Sequence, residues 1–179
     1  DVVGLSMGGA IAVGFTDRHP DLVRKLALID PAGFPMPEGL STKLLRVPGL
    51  GELLMATVGK KMLVQGLTQD FSMPERLPHL ARQYRTQMRY PGFLRALVST
   101  IRHGPLQSMR DVYRRVGRHP RPVLLIWGTE DQTVPFAISE RVRAALPQAT
   151  FHPIVGCGHV PHLENPTEVN RILEHFLRV

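Results

Sequence analysis

Asp1-Val2-Val3-Gly4-Leu5-Ser6-Met7-Gly8-Gly9-Ala10-Ile11-Ala12-Val13-Gly14-Phe15 joins a short apolar run to a run of small residues through a serine flanked by glycines. Asp1 to Leu5 reads as a short buried strand, and Gly8 to Phe15 as a helix that ends near His19-Pro20. Leu22 to Ile29 then reads as a second strand, stopped by Asp30-Pro31-Ala32-Gly33. At the other end, Pro122 to Trp127 is a near-continuous apolar run of the kind that suits a parallel sheet covered on both faces. Ala137 to Leu146 predicts a helix and Thr150 to Val155 a further strand. Pro166 to Leu177 predicts the closing helix, with Val169, Ile172, Leu173, Phe176 and Leu177 on one face. Recurring strand-helix alternation makes the fold class α/β, a mostly parallel sheet with flanking helices.

Residues 34–121 depart from that alternation. They offer no good strand, several helical patterns such as Leu94-Leu97-Val98-Ile101, and breaks at Pro48-Gly49, Gly59, Pro74, Pro78, Pro91-Gly92 and Gly104-Pro105. The expected organisation is a core of residues 1–33 and 122–179 with an inserted helical cap at 34–121. Charge divides at the same boundaries: 34–121 holds 15 Lys or Arg against 5 Asp or Glu, while the remainder holds 7 against 10. Met36, Met55, Met62, Met73, Met88 and Met109 also fall in the cap segment, where flexible thioethers suit a pocket for variable apolar groups.

With 179 residues, 43% of them hydrophobic and 21% charged, the chain suits one domain with its own core and not a disordered, collagenous or coiled-coil protein. Cys157 is the single cysteine, so no internal disulfide can form. No apolar run approaches the roughly 18 residues of a membrane span, and the opening segment does not read as a secretory signal. The expected setting is therefore cytoplasmic. A basic segment with three Tyr and one Trp in the whole chain offers little aromatic stacking for nucleic acid, so no nucleic-acid partner is expected.

Gly4-Leu5-Ser6-Met7-Gly8 fits G-x-S-x-G between a strand and a helix, a context that forces a sharp turn and exposes the serine hydroxyl. Gly4 and Gly8 are read as lacking side chains that would clash there. The N-terminal N–H groups of the following helix favour negative charge at the same spot. Neither a Gly-Lys-Ser/Thr phosphate loop nor G-x-G-x-x-G is present. A serine nucleophile needs a base, and the base needs an acid to orient it. Asp131 lies four residues past Trp127, and His159 lies just past the fourth strand, both where α/β folds place their sites. Other readings stay open. Asp30 also follows a strand, although Pro31 makes it a candidate turn residue. Glu130 neighbours Asp131. Cys157, His159, His162 and Glu164 have a superficial metal-ligand look, but Pro161 spoils a helical His pair and no second ligand cluster exists. His162 and Glu164 are read as holding their loop, and Cys157 as a small buried filler.

Gly4-Leu5-Ser6-Met7-Gly8-Gly9, Trp127-Gly128-Thr129-Glu130-Asp131-Gln132-Thr133-Val134-Pro135 and Gly156-Cys157-Gly158-His159-Val160-Pro161-His162-Leu163-Glu164-Asn165-Pro166 together resemble the elbow, acid loop and histidine loop of the α/β-hydrolases. Ile29-Asp30-Pro31-Ala32-Gly33-Phe34 is also similar to that family. The resemblance implies Ser6 as nucleophile, His159 as base, Asp131 as orienting acid and the Met7 backbone N–H as an oxyanion donor. It implies a serine hydrolase that cleaves a carboxylic ester or related acyl bond through an acyl-enzyme, without cofactor or metal. Serine at position 6 disfavours the epoxide hydrolase and haloalkane dehalogenase branches. Carbon–carbon bond hydrolases of ring-cleavage products resemble the chain in the elbow and histidine loop but typically carry Trp after the histidine, where Val160 stands. That departure favours a carboxylesterase or lipase-like role. A noncatalytic binding relative is the further alternative, although such relatives usually lack a triad member. Arg82, Arg85 and Arg89 suit a small-molecule substrate that is anionic or amphiphilic. In the family pattern several strands and a second oxyanion N–H precede the elbow. The chain is therefore read as a carboxyl-terminal portion, weakly active or inactive alone, whose first strand is an edge open to self-association.

Overall fold

A computed structural model describes residues 1–36, 39–69, 78–103 and 108–178, leaving out the side chains at 65, 67–69, 78–81 and 84. Met73, Pro74 and Gly104-Pro105 lie outside the described residues. Four parallel strands, β1 (Val2–Leu5), β2 (Leu26–Ile29), β3 (Val123–Gly128) and β4 (Ala149–Ile154), form one sheet in the order β1-β2-β3-β4. Because all four run the same way, every carboxyl end lies on one edge of the sheet.

β2 and β3 are buried along their whole length, as their unbroken apolar runs require. Alternation then sorts side chains between two cores. Leu26, Leu28, Val123, Leu125 and Trp127 face one layer with α1 (Met7–Arg18), α7 (Arg110–Val116) and α8 (Ile138–Ala145). Ala27, Ile29, Leu124, Ile126 and Ile154 face the other, under α10 (Pro166–Arg178). β2 starts later than its apolar run suggests: Pro20–Leu22 forms a 3-10 turn that leaves Leu22 71% exposed. Lys25 then bonds the Phe176 and Leu177 carbonyls at the end of α10, so the strand proper begins at Leu26.

Every regular element described between Phe34 and Arg121 is helical: α2 (Leu40–Arg46), α3 (Leu50–Leu54), a π-helical turn at Met55–Gly59, α4 (Lys60–Gln69), α5 (Pro78–Gln87), α6 (Phe93–His103) and α7. Pro78, expected as a break, opens α5 at the position where its missing N–H costs least. A separate small core of Leu45, Met55 and Val98, with Leu94, Leu97 and Ile101 against it, holds α2, α3 and α6 together. Arg102 ties that layer by ion-pairing Glu52 and donating to the Leu45 and Val47 carbonyls. α7 packs differently from its sequence neighbours. Tyr113 and Val116 join the sheet core, and the Tyr113 hydroxyl donates to the Ala32 carbonyl at 2.6 Å. Gly33, at φ 118°, leaves room for the Tyr113 ring, which a Cβ would meet at 2.8 Å. No described helix is long and apolar enough to cross a membrane.

Candidate active site

Each strand hands a polar residue to the common edge: Ser6 after β1, Asp30 after β2, the Asp131 loop after β3 and the His159 loop after β4. Ser6 sits at φ 53°, the left-handed region that costs a non-glycine residue of order 1–3 kcal/mol. The turn is held because the Ser6 N–H donates to Ile29 and its carbonyl accepts the Gly9 and Ala32 N–H groups. Gly4 is required: a Cβ there would lie 2.7 Å from the Gly9 Cα. The expectation for the second glycine is corrected. A Cβ on Gly8 meets nothing within 4 Å among the described residues, whereas on Gly9 it would meet Pro31 Cβ at 2.7 Å. The tight approach is helix against the segment after β2, so it falls on the helix face bearing Gly9. At the first turn of α1 the Met7 N–H has no intrahelical acceptor.

Asp131 and His159 meet. His159 Nδ1 lies 2.8 Å from Asp131 Oδ2, and the two residues are 5% and 4% exposed. Asp131 Oδ1 accepts the Thr133 and Val134 N–H groups at 2.8 and 2.9 Å. With the proton on Nδ1, the ring would donate to Asp131 Oδ2 and leave Nε2 as an acceptor. The histidine loop folds back over the end of β3, where Gly128 permits contact with the Cys157 and Gly158 carbonyls that any side chain would block. Glu130 donates its backbone N–H to the Cys157 carbonyl and keeps an exposed side chain. Glu164 fastens the loop by accepting the Gly158 N–H at 2.8 Å. His162, read with Glu164 as a loop holder, has a buried Nδ1 without a hydrogen-bond partner, and burial followed by the nearby His159 lowers its pKa. The Cys157 thiol is buried and pushed up to about 11, chiefly by desolvation and then by Glu164, which suits an inert core residue.

Asp30 is the residue the sequence undervalued. It has φ 43°, as a turn residue can, but it is 0% exposed, and its Oδ1 accepts the Gly128 N–H at 2.9 Å. Its position directly after a fully apolar strand, level with the acid and histidine loops, was the available signal. Asp30, Asp131 and His159 each place one ligand-type atom within 4.8 Å of the others, a grouping that excludes Cys157, His162 and Glu164. Within this set His159 Nδ1 meets Asp131 Oδ2, Asp131 Oδ1 accepts two backbone N–H groups, and Asp30 Oδ1 accepts the Gly128 N–H.

These features are those of the alpha/beta hydrolase fold family, whose model matches residues 1–166, and the chain belongs to that family. It is 28% identical over 183 residues to the 2-hydroxymuconate semialdehyde hydrolase of Pseudomonas putida, covering 99% of this chain and 62% of that protein. It is 33% identical over 187 residues to the 2-hydroxy-6-oxononadienedioate/2-hydroxy-6-oxononatrienedioate hydrolase of Paraburkholderia phymatum, covering 98% of this chain and 61% of the relative. The crystal structure of the enol-lactonase from Burkholderia xenovorans superposes with a TM-score of 0.78 at 21% identity, over 99% of this chain and 65% of that one, a likeness of fold. The chain thus spans about 62% of the length of the relatives it matches.

Proposed function

We propose that this chain carries the acylating centre of a hydrolase that cleaves a carbon–carbon bond next to a ketone in a ring-cleavage product. The observation that carries the proposal is the likeness along nearly the whole chain to proteins named as hydrolases of 2-hydroxymuconate semialdehyde and of 2-hydroxy-6-oxo-dienedioates. The preference for esters drawn from Val160 rested on a single position and gains no support from those relatives.

In this reading His159 Nε2 takes the Ser6 proton while Asp131 holds the ring, and the serine oxygen adds to the ketone carbon. The developing oxyanion accepts the Met7 N–H. The substrate's 2-enol first passes its proton to the carbon next to the ketone, giving the 2-keto form. The bond between that carbon and the attacked one then breaks with its electron pair delocalised into the 2-keto group as a dienolate, which takes a proton from His159. Water, deprotonated by the same nitrogen, releases Ser6 and yields a carboxylic acid. Overall, one ketone and one water give one acid and one C–H product. The carboxylate of such substrates suits the basic 34–121 segment, in which Lys60, Lys61, Arg85 and Arg89 with Val64 and Met88 line a hollow of about 460 Å³.

The test is a direct competition. Loss of absorbance of a 2-hydroxy-6-oxo-dienoate should exceed p-nitrophenyl ester hydrolysis in kcat/KM, and Ser6→Ala should abolish both along with fluorophosphonate labelling. Ester turnover without dienoate turnover returns the reading to a carboxylesterase. Labelling that persists in Ser6→Ala removes it altogether.

A further inference from the structure

We propose that Asp30 is a positioning residue of this centre: its carboxyl, wedged neutral between the ends of β2 and β3, faces the Asp131–His159 pair so that the three groups share one negative charge. The inference rests on the proposed function for its catalytic meaning, but its physical basis is independent of turnover. Asp30, Asp131 and His159 are respectively 0%, 4% and 5% exposed, so water screens none of them. An oxygen of each carboxyl and a ring nitrogen of His159 lie within 4.8 Å of one another. No described Lys or Arg pairs with either carboxyl. Two buried carboxylates so placed repel one another, which favours a proton on one of them.

The donors decide which. Asp131 accepts two backbone N–H groups and the imidazole, three hydrogen bonds that favour its charge. Among the described residues the Asp30 carboxyl accepts only the Gly128 N–H, and its buried Oδ2 meets no donor there. The proton therefore sits on Asp30. The other groups facing the site point the same way. Glu164 of α9 (Pro161–Glu164) adds negative charge, Cys157 is buried and neutral, and burial and His159 together hold His162 toward its neutral form. Burial, and after it the Asp131 carboxylate, push Asp30 up to about 10. A neutral Asp30 leaves Asp131 as the one anion directing the His159 N–H, while its Oδ1 keeps the mouth of the acid loop in register through Gly128.

The experiment is carbon and proton NMR on the full chain with labelled aspartate, comparing wild type, Asp30→Asn and Asp30→Leu. One aspartyl Cγ, missing in Asp30→Asn, should keep a carboxylic-acid shift through neutral pH. The far-downfield proton of the His159–Asp131 hydrogen bond should survive in Asp30→Asn, whose amide is neutral and can donate, and should move or vanish in Asp30→Leu. A carboxylate shift for Asp30 at neutral pH overturns the proposal. So does loss of the downfield proton in Asp30→Asn, or its indifference to all three side chains. Should Asp30→Leu not fold, the wild-type carbon signal and Asp30→Asn decide alone. Failure of Ser6 to acylate would end the proposed function without altering these signals.

Discussion

A proton kept by a buried aspartic acid has a thermodynamic signature, because the same side chain in the unfolded chain titrates near 3.9. Above that pH the folded state binds one proton more than the unfolded state, so Asp30 makes stability fall as pH rises toward its folded value of about 10. The slope for one such group is at most about 1.4 kcal/mol per pH unit. Asp30→Asn lacks this slope. Its urea midpoint should gain on that of the wild type between about pH 6 and about pH 8. A gap that stays constant with pH would count against a neutral Asp30. Asp131 is expected to act differently, since its carboxylate is what orients the His159 ring. Asp131→Asn should present the His159 ring with the wrong tautomer and lower the rate of Ser6 acylation by ~10³–10⁴-fold, at little cost to the melting temperature. Equal losses of rate and folding would reduce it to a structural group.

At the scale of elements, the elbow is a packing problem between β1, α1 and the segment after β2. Gly4 and Gly9 are fixed by backbone and Pro31 atoms closer than a Cβ tolerates, and Gly8 is not. Gly8→Ala, in the first turn of a helix, should leave stability unchanged or raise it by up to ~1 kcal/mol. Gly9→Ala should lower it by about 1–3 kcal/mol through overpacking against Pro31. Thermal melts of the two variants settle the point, and equal behaviour would show that the turn itself, not the helix face, sets the glycine requirement. The helical elements read well because their signals are local. Leu94, Leu97, Val98 and Ile101 recur at helical spacing, and all four enter one small core. The start of β2 read poorly because Leu22 and Val23 are as apolar as the strand that follows. Nothing local records that Leu22 faces solvent while Lys25 is held by the end of α10.

For the molecule as a whole, the described strands run β1-β2-β3-β4, which sets Ser6, Asp30, the Asp131 loop and the His159 loop side by side along one edge. The apolar runs and the G-x-S-x-G, acid and histidine segments determined by themselves the α/β class, the strand order along the chain and the residues placed at the strand ends. Those features repeat or recur within a few residues, so composition and spacing carry them. Only the tertiary structure decided that Asp30 reaches a backbone N–H 98 positions away and shares a dry space with Asp131 and His159. It also decided that Gly9 rather than Gly8 bears the close contact. Such meetings depend on strand register and on which helix face turns inward, and these are settled by packing between segments remote in the chain.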